Sequence, residues 1–352
     1  MKKSFAAFMA ITLAMGSLSG CSGKPVSAAS GTTPHVTETA AVDAPVSAVK
    51  TGLYVDASIA GSKSADVEEN GQAKFDVTVV AVTVDGKGII ESCVIDSIPA
   101  SVAFDASGTI ISDISGAVLT KNELGEAYGM KDLAGSRYEW NEQTSALAAY
   151  AVGKTVKELR NGALDERGYA ADADLASTAS IYLGGYVSAI EAAVNNAQHL
   201  GAASGDRLVL ATLNSVGSSK LSDGDVKGVA QLDADIAAVT MNGDVITSCY
   251  IDSLCAKVNF DDAGIIATDL AAPVLTKNEL GEDYGLKKYA GSGYEWNEQA
   301  AAFAAYVTGK TAGEVAGIAV NERESPADAD LAAVVTISIA GFQALIAKAA
   351  AQ

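Results

Sequence analysis

The sequence predicts an α+β protein built from two tandem copies of one domain, each an antiparallel β-sheet with helices packed on one side. Three observations carry that expectation. The heptapeptide T-K-N-E-L-G-E begins at Thr120 and again at Thr276, an offset of 156 residues. The same offset carries Tyr138-Glu139-Trp140-Asn141-Glu142-Gln143 onto Tyr294-Glu295-Trp296-Asn297-Glu298-Gln299, and Ala171-Asp172-Ala173-Asp174-Leu175-Ala176 onto Ala327-Asp328-Ala329-Asp330-Leu331-Ala332. A period this long duplicates a whole domain rather than a solenoid unit. Within each copy the hydrophobic period then changes from two to 3.6, so strands come first and helices after. These signals place the copies at residues 51–200 and 201–352.

The elements follow in order. Residues 52–58 suit a first strand. In 75–84, Phe75, Val77, Val79 and Ala81 share one face, while Val80, Val82 and Val84 make the other face apolar as well. Such a strand is covered on both sides. Asp85-Gly86-Lys87-Gly88 is a hairpin turn, and Asn242-Gly243-Asp244 is its counterpart, one residue shorter. A returning strand is expected over 89–98, a turn at 105–108 and a further strand over 109–114. Trp140, Thr144, Leu147, Ala148 and Ala151 then line one face of a helix, as do Trp296, Ala300, Phe303, Ala304 and Val307. Gly153 and Gly309 close those helices. Thr155 with Glu158, and Thr311 with Glu314, form capping boxes for a short next helix. A last helix is expected over 182–197 and 340–350.

The chain of 352 residues is 49% hydrophobic but only 6% aromatic, so aliphatic side chains must fill its cores. Its formal net charge of −19 leaves no basic patch to neutralise phosphates, which argues against a nucleic-acid partner. At the N-terminus, Lys2-Lys3 precedes a short apolar run at 5–15 and then Leu18-Ser19-Gly20-Cys21. The run is too short for a retained spanning helix. The final four residues resemble the lipobox of bacterial lipoproteins. That resemblance implies a signal peptide over 1–20, cleavage before Cys21, and a membrane anchor of acyl chains on its thiol. Each buried methylene would add about 0.8 kcal/mol to that anchorage. Residues 21–50 then hold the lipidated cysteine and a flexible tether rich in Ser, Thr, Ala and Pro. The expected location is extracytoplasmic, at the cell membrane of a bacterial envelope. Of the other cysteines, Cys93 and Cys249 correspond and read as small buried hydrophobes. Cys249 and Cys255 lie on one expected strand, about 20 Å apart, too far to bridge.

Few groups in the domains carry chemistry. Gly153-Lys154-Thr155 lacks the earlier glycine of a phosphate loop, because Ala148 stands there. His35 lies in the tether and His199 at the junction, so neither copy can build a histidine triad or a histidine zinc site. No metal site is expected, since no loop has the spacing of a calcium hand. Glu123, Glu126, Glu139 and Glu142 recur as Glu279, Glu282, Glu295 and Glu298. They suit helix capping and a solvated loop, and they also leave open a cation or acid–base role. Gly125 and Gly281 are the expected turn points of that loop.

Asp174-Leu175-Ala176-Ser177-Thr178-Ala179-Ser180 precedes the last helix. It resembles the Asp-x-x-Ser-Gly-Ala-Thr signature of the extracytoplasmic FMN-binding domains of sodium-pumping and Rnf-type redox complexes and of surface flavoproteins. In that family the last Thr is joined to FMN through a phosphoester. Asp174, Ser177 and Ala179 match, Ser180 stands in the acceptor place, and Thr178 replaces the glycine. The second copy keeps Asp330 and Thr336 but has Ala333, Val334 and Val335 between them. The order of elements is similar too: Thr51-Gly52-Leu53-Tyr54 resembles the opening strand, and Asn122-Glu123-Leu124-Gly125 loosely resembles a Glu-Thr-Pro-Gly segment. The resemblance implies FMN held by Asp174, Ser177, Ser180, Asp330 and Thr336, with the loops at Gly125 and Gly281 nearby. It further implies a flavin transferase as one partner and an extracytoplasmic redox protein as another. Tyr128, Tyr138, Trp140 and Tyr182, with Tyr284, Tyr294 and Trp296, would wall the ring. A phosphate is well placed at a helix N-terminus, but a β-branched Thr178 crowds the approach of the backbone.

Two functions are therefore open. One is a flavin-based electron carrier. The other is a non-catalytic binding or structural lipoprotein that keeps the fold without the cofactor. Both are proteins of electron transfer or binding rather than enzymes.

Overall fold

A computed structural model of the chain describes residues 47–224 and 226–352. The apolar run, Cys21 and most of the expected tether lie outside the described residues. Those residues are mixed α and β, with two three-stranded antiparallel sheets and twelve helices. The first sheet is β1 (Lys50–Ser58), β2 (Gly71–Val84) and β3 (Ile90–Phe104), in that spatial order. The second is β4 (Arg207–Ser215), β5 (Gly228–Asn242) and β6 (Val245–Phe260), again in that order. No helix among the described residues is long and apolar enough to cross a membrane.

The burial of β2 follows its sequence. In its first part Ala73, Phe75 and Val77 are buried while Lys74 and Asp76 face water. From Val79 onward every residue is buried, as the two-sided apolar pattern predicts. The odd-numbered residues of β2 join Leu232, Ile236, Leu254 and Val258 of the second sheet in one central core. The sheets thus pack face to face. Val80, Val82 and Val84 turn the other way, onto Leu147, Leu183, Val187 and Ile190 of the helices. The second half repeats the arrangement, with Val239 and Met241 facing Phe303, Phe342 and Leu345. The layer order is helix, sheet, sheet, helix, within one compact unit.

Phe104 and Phe260 end the two outer strands and stack across the centre, with ring centroids 4.1 Å apart and planes 1° from parallel. Both are fully buried. Gly71 and Gly228 stand against those rings, and a Cβ on either would lie 2.3 Å from a ring carbon. Gly52 answers a similar demand on the helical side. The helix Gly184–Asn195 passes so close to β1 that a Cβ there would sit 2.1 Å from the carbonyl oxygen of Ala193. That strand's outer edge is in turn covered by the connection between the halves. Thr51 and Gln198 exchange both backbone hydrogen bonds, and Val49 donates to Ala202. Covering the edge in this way removes a site for unwanted pairing.

Several expectations hold. The helices Trp140–Ala151 and Trp296–Val307 bury every residue assigned to their inner faces. Both threonine–glutamate capping boxes form. Cys249 is buried as expected, whereas Cys93 is only partly buried; burial pushes both thiols up to about 12. Two expectations need correction. The strand expected over 109–114 is not formed; only Ile110 bridges Phe104. The Ser112 hydroxyl accepts the Ala103 N–H instead, and Ile110 and Ile114 fold back onto the central core. The returning strand does not stop at Ile98 but continues through Pro99 to Phe104. A proline fits there because β3 is an outer strand, where its missing N–H leaves no ladder bond unmade.

The shared core predicts joint unfolding. Phe260→Ala is expected to destabilise the chain by about 3–5 kcal/mol. In urea, the separate fluorescence of Trp140 and Trp296, read in Trp296→Phe and Trp140→Phe variants, should give coincident midpoints. Separate transitions would show that each sheet is stable alone.

Candidate functional site

The segment that resembles the FMN signature is divided between two elements. Asp172 caps a short helix, Ala173–Thr178, through its side chain to the Asp174 and Leu175 N–H groups. Asp174 and Ser177 lie on that helix, exposed, and the Ser177 hydroxyl donates to the Asp174 carbonyl at 2.7 Å. The segment therefore does not open the last helix, which begins at Gly184. Ser180 lies in the connection between them, also exposed. Asp330 and Thr336 have matching positions in the second half, both exposed.

Gln143 organises this connection. It is wholly buried on the helix Trp140–Ala151. Its Oε1 accepts from the Ser180 N–H at 2.8 Å, the Ser180 hydroxyl at 3.2 Å and the Ile181 N–H at 3.1 Å. Its Nε2 donates to the Tyr138 carbonyl at 3.0 Å and the Ser136 hydroxyl at 3.2 Å. Gln299 makes the same five contacts with Thr336, Ile337, Tyr294 and Ser292. The N–H groups that would meet a phosphate beside Ser180 are thus already bonded to an amide oxygen. Beyond Tyr182, the Leu183 and Gly184 N–H groups donate to the Gly168 carbonyl. The periodicity of the helix could not show this role, because a glutamine on an apolar face reads as a boundary residue. Its signal was the invariance of the hexapeptide between copies.

Gly125 and Gly281 lie elsewhere, in the T-K-N-E-L-G-E segments. Their backbones, with φ of 51° and 49° and ψ near −120°, suit glycine alone. Each ends a four-residue helix opened by a capping box, Thr120 with Glu123 and Thr276 with Glu279. Lys121 then lies 4.9 Å from the ring centroids of both Tyr128 and Trp140, and Lys277 sits likewise between Tyr284 and Trp296. Two members of the expected aromatic wall in each half are therefore covered by the protein's own ammonium groups. Tyr182 is exposed and packs edge-on against Tyr169. Buried Glu139 accepts the Met130 and Lys131 N–H groups, and Glu142 pairs with Lys131 at 2.8 Å. Capping accounts for these carboxylates. Among the described residues no group of three or more His, Cys, Asp or Glu is placed to hold a metal ion.

The same segments also lie at the seam between the halves. Asn122 donates from its amide to the Ile95 carbonyl and from its backbone to Asp96 Oδ1. Asn278 does the same with Ile251 and Asp252. Asp96 and Asp252 are 7% and 8% exposed. Burial raises both carboxyls above their ordinary range, Asp252 to about 6, against the opposing pull of N–H donors such as Ser253 and Asn278. Beside Asn278 opens a cavity of about 540 Å³. Its walls are Cys249 and Tyr250 of β6, Ala301 and Ala304 of the helix Trp296–Val307, and His199 and Leu200 of the connection. This size and lining suit a small molecule. The sequence did not point to this cavity, because its walls come from four separated stretches. Comparison with protein-family models, with curated proteins and with solved structures finds no match to the chain.

Two outcomes test these polar groups. Gln143→Leu would leave buried N–H and carbonyl groups unpaired and should cost about 1–3 kcal/mol in urea unfolding. The raised Asp252 carboxyl favours the folded chain fully below its unfolded value of 3.8, and that share is lost as pH rises through about 6. Asp252→Asn, which keeps the acceptor oxygen, should flatten the fall in stability between pH 4 and pH 7 by on the order of 2–3 kcal/mol. An unchanged slope would show that Asp252 stays ionised throughout.

Proposed function

We propose that the chain is a bacterial lipoprotein held at the extracytoplasmic face of a membrane by acyl groups on Cys21. In this proposal residues 51–352 are a tandem duplication of one FMN-binding-like domain that has become a non-catalytic binding module. Its ligand enters the cavity at the seam between the halves. The observation that carries this choice is the Gln143 amide oxygen on the Ser180 and Ile181 N–H groups, repeated by Gln299 at Thr336 and Ile337. A phosphate there would have to displace a buried side chain that also holds Tyr138 or Tyr294. The occupied aromatic pairs around Lys121 and Lys277 support the same choice.

The flavin-based electron carrier is the second reading. It is favoured by one feature: both acceptor hydroxyls, of Ser180 and Thr336, are exposed and open to a flavin transferase. In that case Asp174, Ser177 and Asp330 would surround the phosphoester, and a redox protein outside the cytoplasm would be the electron partner.

An intact-mass spectrum of the protein from its own host separates the two. The expected result is a chain beginning at Cys21 with acyl increments and no flavin. An FMN-sized increment on a Ser180 or Thr336 peptide would reverse the choice. A chain that begins elsewhere and carries no lipid would remove the anchor.

A further inference from the structure

The halves differ at one pair of corresponding places on the seam. In the first, Glu123 Oε2 accepts the Thr120 N–H at 2.8 Å as part of its capping box. Its Oε1 forms an ion pair with the Lys348 ammonium, which reaches across from the last helix of the other half. The ammonium also donates to the Thr212 carbonyl of β4 at 2.7 Å. Burial alone would raise the Glu123 carboxyl. The bond from Lys348 and those from Thr120 outweigh it and hold the group below the ordinary carboxylate range.

The second place has the same frame and no lysine. Glu279 Oε2 accepts the Thr276 N–H at 2.9 Å. Among the described residues no cation pairs with Glu279. The position that corresponds to Lys348 is Ala192, and Val55 of β1 corresponds to Thr212. A pocket of about 170 Å³ lies here, lined by Val55, Asp252, Asn278 and Glu279, with Tyr54 and Tyr250 as walls. Around Glu123 the residues matching the two tyrosines are Ala211 and Val94, which offer no aromatic face. Tyr250 and Asn278 also line the 540 Å³ cavity, so the two spaces share a wall.

We propose that the Glu279 pocket binds the ammonium group of a small primary amine whose apolar part occupies the adjoining cavity. Lys348 shows, in the matching frame, how such a group is held: a carboxylate oxygen on one side and a strand carbonyl on the other. The bound ammonium would donate to Glu279 Oε1 and to the outer edge of β1 at Val55, facing Tyr54 and Tyr250. Tyrosine faces attract a cation and add selectivity over neutral molecules. A charge-assisted bond to a carboxylate is stronger than one between neutral groups. The ammonium would also compensate the carboxylate of Asp252, which is buried and has no cationic partner among the described residues. Cys249, Leu200 and the alanines of the helix Trp296–Val307 offer an apolar side of the cavity to the rest of the molecule, beside the polar groups of Gln198, Asn297 and Thr308.

This inference rests on the binding reading above, and its test separates the two. Calorimetric titration of the full chain would use n-hexylammonium, with n-hexanol as the neutral control. One hexylammonium per chain is expected, with hexanol at least about tenfold weaker. Glu279→Gln keeps a residue able to complete the capping box and should weaken hexylammonium by about ten- to hundredfold, leaving hexanol unchanged. Ala192→Lys should fill the pocket from within and abolish uptake. Lys348→Ala should vacate the Glu123 frame and raise the count toward two. Equal affinity for amine and alcohol, or a Glu279→Gln chain that binds as before, would overturn the amine assignment while leaving the cavity a ligand site. Uptake of neither probe would overturn both.

Discussion

Everything in this protein depends on the contact between the two sheets. A three-stranded sheet with helices on one face still presents its other face to water. Here each sheet covers the other. Phe75, Val77, Val79 and Ala81 from one meet Leu232, Ile236, Leu254 and Val258 from the other in a core that neither half owns. The hydrophobic effect is strong enough to make this union obligatory, since each buried aliphatic side chain is worth about 1.5–3 kcal/mol. The Phe104–Phe260 stack lies at the ends of the outer strands, and the glycines opposite leave it the space it needs.

That union creates a seam, and the seam is where polar chemistry collects. The T-K-N-E-L-G-E segments run along it, and their asparagines tie each short helix to the edge of β3 or β6. Their glutamates face the other half. One has found a lysine there; the other meets two tyrosines and a buried aspartate. The repeated sequence gives each half the same frame, and within it one half lacks the lysine that pairs with the other half's glutamate. The cluster around Gln143 and Gln299 behaves in the opposite way. Its geometry repeats in both halves, with Ser180 in one and Thr336 in the other, because a wholly buried glutamine amide in each is satisfied on both its oxygen and its nitrogen, so its loss is costly.

The legible part of the fold came from periodicity and punctuation. Alternation in β2, its change at Val79 to unbroken apolarity, the spacing of Trp140, Leu147 and Ala151, and the capping boxes are local signals whose partners lie a few residues away. The errors were at places where a distant neighbour decides. Thr109 to Ile114 alternates well enough for a strand, but Ile110 and Ile114 are drawn to the central core. Pro99 looks like a stop, and is none on an outer strand. The resemblance of Asp174 to Ser180 to a flavin signature was legible as a string. Whether its N–H groups are free could not be, because their partner is Gln143, 37 residues earlier.

Residue identity and spacing alone gave the sequence repeat, the order of strands before helices, the caps, and the acidic charge balance. These are set by residue identity, by spacing along the chain, and by backbone preferences that need no distant partner. Folding in three dimensions was needed to join the two sheets in one core, to set Gln143 and Gln299 on the donors beside Ser180 and Thr336, and to give Glu123 a lysine while Glu279 has none among the described residues. Each of these joins side chains from elements far apart in sequence. Their meeting is set by which apolar faces must be hidden from water, and that choice is made by the chain as a whole.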